Sequence, residues 1–307
     1  MEFTKMHGLG NDYVYVSLLE HPEWEERVDW SALSRAASNR HTGVGSDGLI
    51  LIAPAQAGGD FRMRIFNADG SEGEMCGNGI RCLGKYVYDH GFTQAESLQI
   101  ETRAGMRQLR LQVQAEQVVA VDVEMGVPAP AAVCAQVDPT PARPLRPAAG
   151  GFSWWEVAEP RLPEAVLLIP VSMGNPHAVW FVPDVGQAPV KSAGPVLERH
   201  PAFPQRANIE FAHVRAGDPR QLDVRVWERG SGETQACGTG ACAAVVAARV
   251  AGYTQEKVVT VHLPGGDLSI RWPGPGQVLW MSGPAVEVFT GRWQTGWLAA
   301  AGAFLHA

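Results

Sequence analysis

One run of five residues, Met75-Cys76-Gly77-Asn78-Gly79, comes back as Ala236-Cys237-Gly238-Thr239-Gly240, 161 positions later. The interval is kept well beyond the two cysteines. It carries Arg64 onto Arg225, Phe66 onto Trp227, Asn67 onto Glu228, Gly91-Phe92-Thr93-Gln94 onto Gly252-Tyr253-Thr254-Gln255 and Gly105 onto Gly266, and upstream it carries Asp47 onto Asn208. Phase held over roughly sixty positions marks a duplicated supersecondary unit rather than chance. A chain built this way folds as two similar halves, and 307 residues give each about 150, an ordinary domain length.

In each half the cysteine stands at the mouth of a predicted helix. Phe61 to Phe66 alternates as a half-exposed strand and runs into the turn Asn67-Ala68-Asp69-Gly70-Ser71. Leu222 to Trp227 does the same into Glu228-Arg229-Gly230-Ser231-Gly232. The first helix is expected from Gly77 to about His90, closed by Gly91. The second, through Ala241-Cys242-Ala243-Ala244-Val245-Val246-Ala247-Ala248, is apolar on every side, which requires burial on every side. Residues 21–39 read as one helix, 49–52 as a buried strand, and 97–103, 106–113 and 118–124 as further strands. The prolines between Pro128 and Pro147 exclude a regular helix or a central strand from the connection that follows.

The expected architecture is therefore α/β (α+β): two similar domains related by a pseudo-twofold, each a curled mixed sheet around a central helix, with the active site in the cleft between them. The expected boundaries are 1–124 for the N-terminal half, 125–165 for a Pro-rich connection and insertion, and 166–282 for the C-terminal half, with 283–307 packing back on the first half.

Charge and cysteine usage narrow the function. A net charge of −7 without a basic run gives no nucleic-acid surface. No apolar run reaches the ~18 to 20 residues of a membrane span, and the start of the chain lacks a signal pattern, so a cytoplasmic protein is expected. Five cysteines without a Cys-x-x-Cys pair point to reduced thiols, with no metal site.

A cysteine just before a helix faces orphan N–H groups and the positive end of the dipole, which favour thiolate and draw its pKa of about 8.5 towards neutrality. The bare backbone at Gly77, Gly79, Gly238 and Gly240 lets an anionic group such as an α-carboxylate approach the amides. Two thiols aimed at one carbon from opposite sides would invert a stereocentre, one removing a proton while the other supplies one, with no redox step and no cofactor. Oxidation of the same two thiols to a disulfide would switch the site off. Cys82, Cys134 and Cys242 lie off these faces and are read as structural.

Asn11, Asn67, Asn175 and Asn208 sit at strand ends or turns, where asparagine is a common turn former. Together with Glu228 and Arg229 they would also recognise a zwitterion, since amides donate to carboxylates and accept from ammonium groups. His177 follows a proline and fits a surface position equally well. In the alternative reading it pairs with Glu228 in the repeat, and each sets the protonation of one thiol.

His7-Gly8-Leu9-Gly10-Asn11-Asp12-Tyr13, Asn67 to Ser71 with Cys76 to Cys82, Met173-Gly174-Asn175-Pro176-His177, Asn208-Ile209-Glu210-Phe211, and Trp227-Glu228-Arg229 with Cys237 to Cys242 together resemble the diaminopimelate epimerases over nearly the whole chain. These are pyridoxal-independent enzymes interconverting LL- and meso-diaminopimelate. The resemblance implies acid/base roles for Cys76 and Cys237, adjusted by His177 and Glu228. It implies carboxylate binding at Gly77-Asn78 and Gly238-Thr239, and recognition of the other amino and carboxyl groups by Asn11, Asn67, Asn175, Asn208 and Arg229. It also implies a homodimer working in lysine and cell-wall precursor synthesis on a small amino-acid substrate. The chain departs from the pattern at Gly48, where some members carry a substrate-contacting glutamine. Proline or hydroxyproline racemases share the two-thiol logic, but a cyclic apolar side chain has no use for Asn67, Asn175, Asn208 and Arg229. A ligand-binding relative without activity would tolerate loss of either thiol.

Overall fold

In the computed structural model, which describes residues 1–304, the chain forms two units. One comprises Met1–Val123 and the segment from Gly283 onward, the other Glu124–Ser282. Positions 305–307 of the expected returning tail lie outside the described residues.

The first unit opens with β1 (Glu2–Gly8) and β2 (Asn11–Ser17), an antiparallel hairpin that pairs Gly8 with Asn11. Its two turn residues, Leu9 and Gly10, both have positive φ (58° and 82°), as a type I′ turn requires. The turn leaves Asn11 at the head of β2. The predicted helix over 21–39 is broken into α1 (Trp24–Arg27) and α2 (Trp30–Ser38). Val28 is extended between them, and the Asp29 carboxylate caps α2 by accepting from the Ala32 amide at 2.9 Å. The aspartate N-cap was visible in the sequence and competes with a continuous helix.

This crossover delivers β3 (Gly48–Pro54) parallel to β2, with Tyr13 opposite Gly48. Next come β4 (Phe61–Asn67), antiparallel to β3, and the short β5 (Glu72–Gly73). After α3 (Gly77–Asp89) the chain makes β6 (Ser97–Thr102), parallel to β4, then β7 (Gly105–Gln114) and β8 (Gln117–Gly126).

The second unit begins with β9 (Ala129–Pro130), β10 (Ala142–Pro147) and β11 (Ser153–Val157). The segment expected to be irregular thus carries strands, and β10 and β11 extend the sheet from β12 (Val166–Ser172). Prolines are compatible with this because, among the described residues, β10 pairs on one side only, with β11, and its register slips between Pro144 and Arg146. The unit continues through β13 (Pro176–Phe181), α4 (Val190–Glu198), β14 (Asn208–Val214), β15 (Gln221–Glu228) and β16 (Gly232–Thr234). It closes with α5 (Gly238–Val250), β17 (Val258–Leu263), β18 (Gly266–Arg271) and β19 (Leu279–Gly283). The chain then returns to the first unit as β20 (Val286–Arg292), antiparallel to β1, followed by α6 (Thr295–Ala300).

A helix sits at the centre of each unit. α5 packs on β12 to β15, β17 and β18, and Ala241 to Ala248 are fully buried. α3 packs on β1, β2, β7 and β20. It carries Arg81, also fully buried, whose guanidinium donates to the Gly77 and Pro284 carbonyls at 3.2 Å each. Arg81 thereby ties the returning segment to the helix it covers.

The boundaries repeat as the sequence does. β4 ends at Asn67 and β15 at Glu228, while α3 opens at Gly77 and α5 at Gly238, 161 residues apart in both cases. Upstream the interval drops to 160, since Gly48 opens β3 and Asn208 opens β14. The counterpart of Asn208 is therefore Gly48, not Asp47. The parallel ladders then match Tyr13, opposite Gly48, with His177, opposite Asn208. So the repeat pairs His177 with Tyr13, and Glu228 with Asn67. A single extra residue before β15 had hidden this from a gapless comparison.

Candidate active site

Each cysteine is the N-cap of its central helix. The Sγ of Cys76 accepts from the Gly79 amide and that of Cys237 from the Gly240 amide, both at 3.4 Å. An alanine at Gly79 or Gly240 would press on the end of a buried side chain. A Cβ on Gly79 would lie 2.5 Å from Ile50 Cδ1, and one on Gly240 would lie 2.9 Å from Glu210 Oε1.

In the first unit, the Cys76 thiol donates to Asn11 Oδ1 at 3.4 Å and Asn78 Nδ2 donates to the same oxygen at 3.3 Å. The other end of the Asn11 amide donates to Asp47 Oδ2 at 2.9 Å, so this carboxylate fixes which way Asn11 faces. Arg40 in turn holds Asp47 and Asp12. Tyr13 is buried beside Cys76, and burial, followed by the thiol, pushes its hydroxyl well above the ordinary tyrosine value. Asn67 stands at the exposed end of β4, donating to Ser71 Oγ at 2.9 Å.

In the second unit, Asn175 Nδ2 donates to Thr239 Oγ1 at 3.4 Å, and that hydroxyl lies 3.6 Å from Cys237 Sγ. The Glu228 carboxylate accepts from Thr234. Asn208 is buried and used at both ends: Nδ2 donates to the Pro176 carbonyl at 3.2 Å and Oδ1 accepts from the Arg229 amide at 2.8 Å. It fixes the backbone at the turn after β15, while the exposed Arg229 guanidinium reaches the Gln205 carbonyl. His177 is not a surface residue. It is buried, with Nδ1 at 2.6 Å from Glu210 Oε1 and Nε2 at 3.1 Å from Asn175 Oδ1.

The thiol expectation needs correction at Cys237. Burial first, then Glu228 and Glu210, push it well above the ordinary cysteine value, outweighing the amide of Gly240. Its resting form is the thiol. Of the other cysteines, Cys82 and Cys242 are fully buried and Cys134 is exposed; burial pushes Cys82 up to about 11. Among the described residues no helix is long and apolar enough to cross a membrane.

A family model described as diaminopimelate epimerase matches residues 3–129 and 169–288. The chain belongs to the diaminopimelate epimerase family. It is 46% identical over 294 residues to the diaminopimelate epimerase of Pelotomaculum thermopropionicum, covering 95% of this chain and 99% of that one. To that of Geobacillus thermodenitrificans it is 47% identical over 292 residues, covering 94% and 95%. The fold is also that of a probable proline racemase from Agrobacterium radiobacter, with a TM-score of 0.65 at 14% identity over 96% of this chain and 93% of that one. As a member of the diaminopimelate epimerase family the protein is an isomerase. Its strands β10 and β11 fall in the gap between the two matched stretches.

The sequence reading gave no role to Asp47, Tyr13 or Glu210. For Glu210 a signal existed: it is a carboxylate inside the apolar run Ile209-Glu210-Phe211-Ala212, where a buried charge needs a partner.

Proposed function

We propose that this protein interconverts LL- and meso-2,6-diaminopimelate by proton transfer at one α-carbon, with Cys76 and Cys237 as the two bases and no cofactor. The observation that carries the reading is the matched pair of cysteine N-caps, each followed by a Gly-x-Gly backbone. One thiolate takes the α-proton and becomes a thiol. The electron pair left on carbon delocalises into the carboxylate, where helix-head amides at Gly77-Asn78 and Gly238-Thr239 offset the developing charge. The opposite thiol then returns a proton to the other face and is left as thiolate, so the enzyme ends with its two protonation states exchanged. Asn11, held by Asp47, Asn67 and Asn175 donate to and accept from the ammonium and carboxylate groups, with Arg229 at the distal carboxylate. Asn208 serves by fixing the Arg229 backbone. Glu228 and His177 bias the thiols. We place the reaction in the cytoplasm, where thiols stay reduced, and in lysine and peptidoglycan precursor synthesis.

Incubation of the reduced protein with LL-diaminopimelate in deuterated water is expected to place deuterium at one α-carbon as meso product forms, without added cofactor. No exchange, or exchange with proline instead, would sink the assignment.

The working form is a homodimer. Among the described residues β20 pairs with β1 alone, and Val288 and Phe289 on it are 53% and 46% exposed. An unpaired edge with apolar side chains suits a second copy of itself. Sedimentation should give twice the chain mass, falling to the single-chain mass in Phe289→Glu; wild type sedimenting as one chain refutes it.

A further inference from the structure

The two units differ at one buried position where packing alone would not require it. Ile50 and Glu210 are counterparts, 160 residues apart on β3 and β14, as Gly48 and Asn208 are. Each lies under the glycine three residues after the capping cysteine: Ile50 under Gly79 and Glu210 under Gly240. The first unit fills the place with hydrocarbon. The second fills it with a fully buried carboxylate, which costs stability unless a partner compensates it. The same unit carries His177 where the first carries Tyr13.

The hydrogen bonds fix the proton count of this pair. Asn175 donates through Nδ2 to Thr239, so its Oδ1 faces His177 Nε2 at 3.1 Å. A carbonyl oxygen only accepts, hence Nε2 carries a proton. The 2.6 Å contact between Nδ1 and Glu210 Oε1 then requires one more proton, on the ring or on the acid. In either form the pair holds two protons and carries no net charge. The second oxygen, Oε2, has no hydrogen-bond partner among the described residues, which favours the proton staying within the pair.

We propose that Glu210 is a positioning residue for the reaction: sharing one buried proton with Nδ1 of His177, it holds the ring's Nε2–H towards Asn175 and sets the charge behind Cys237. The inference rests on the epimerase reading for its consequence, though not for its geometry. The ionisable groups facing Glu210 are His177 on β13, Glu228 at the end of β15 and Cys237 at the head of α5. Burial, opposed by His177 and reinforced by Glu228, pushes the Glu210 acid up to about 7. Below that pH the pair is neutral. Above it the shared proton leaves, a net negative charge sits behind α5, and Cys237 is held still more firmly as a thiol.

The test is a two-bond proton–nitrogen NMR titration of the full-length protein labelled at histidine, from pH 5.5 to 9, with His177 assigned by its loss in His177→Asn. Wild type is expected to show Nε2 protonated at pH 6, with the ring resonances changing, at a midpoint near 7, as the Glu210 acid loses its proton. In Glu210→Gln the side-chain amide donates to Nδ1, so Nε2–H persists and the midpoint vanishes. The limb near 7 in the pH profile of kcat/KM should vanish with it. A bare Nε2 at pH 6, or the same midpoint in both proteins, overturns the proposal. If the variant does not fold, the wild-type titration decides alone, since a ring that does not respond across the range also overturns it. The NMR readout needs no turnover, so absence of epimerase activity would be seen separately.

Discussion

Cys237→Ala is expected to lower epimerisation in both directions by about 10²–10⁴, the scale of a lost general acid or base. It should nevertheless retain hydrogen exchange with solvent for one stereoisomer of diaminopimelate. With Cys76 alone, a proton can be taken from one face and returned only to that face. Exchange without inversion is then confined to the isomer presenting that face. Cys76→Ala should show the mirror pattern, exchanging the other isomer. In wild type the two directions should also differ in pH response, because burial and the carboxylates of Glu228 and Glu210 keep Cys237 a thiol well past the ordinary cysteine range. The direction that starts with Cys237 as base gains thiolate as pH rises, while the direction that needs it as acid does not. Deuterium exchange followed separately for the LL and meso isomers reads both effects. Equal loss of exchange for both isomers in each variant would contradict the two-base assignment.

The second large effect concerns stability. Gly48→Gln, which installs the side chain some family members carry, is expected to destabilise this protein and bring no gain in substrate affinity. A Cβ at this position would lie 2.2 Å from the Phe66 carbonyl oxygen, 3.0 Å from the Tyr13 ring and 3.2 Å from Asn67 Cα. Two of these are backbone atoms of β4, held in register with β3 by the ladder, and cannot rotate aside. Overpacking of this kind costs about 1–3 kcal/mol, which for a unit of this length is a fall of roughly 3–10 °C in thermal midpoint. A variant with an unchanged midpoint and a lower KM would show that the strand adapts.

The duplication, the two capped helices and the residues around the cysteines could be read in the sequence because each leaves a local mark: a repeated Cys-Gly-x-Gly, a strand alternating into a turn, a helix of small apolar residues. What could not be read depended on register between distant strands. A one-residue change of interval before β15 decides that Asn208 answers to Gly48, and that His177 answers to Tyr13 rather than to Glu228. The burial of Arg81 depends on a carbonyl at Pro284, 203 residues away. The strand β10 was hidden by Pro144 and Pro147, which an edge tolerates and a central strand does not, and β11, which has no proline of its own, lay inside the same proline-rich connection. The high setting of Cys237 arises first from its burial and then from two carboxylates contributed by β14 and β15, and helix-head chemistry alone points the other way.

The return of β20 to the first unit also has a consequence for synthesis. Lys5 on β1 is matched with Phe289 on β20, so β1 leaves the ribosome well before the strand it pairs with there and must wait for it. At about 5–20 residues per second that is a wait of roughly 15–60 s, during which one side of β1 and the face of α3 that β20 and Pro284 cover stay open. The second unit is continuous from Glu124 to Ser282 and can close in the meantime. The order of completion is thus the reverse of the order of translation, and the nascent first unit is where a chaperone or a misplaced copy of β20 from a neighbouring chain would engage.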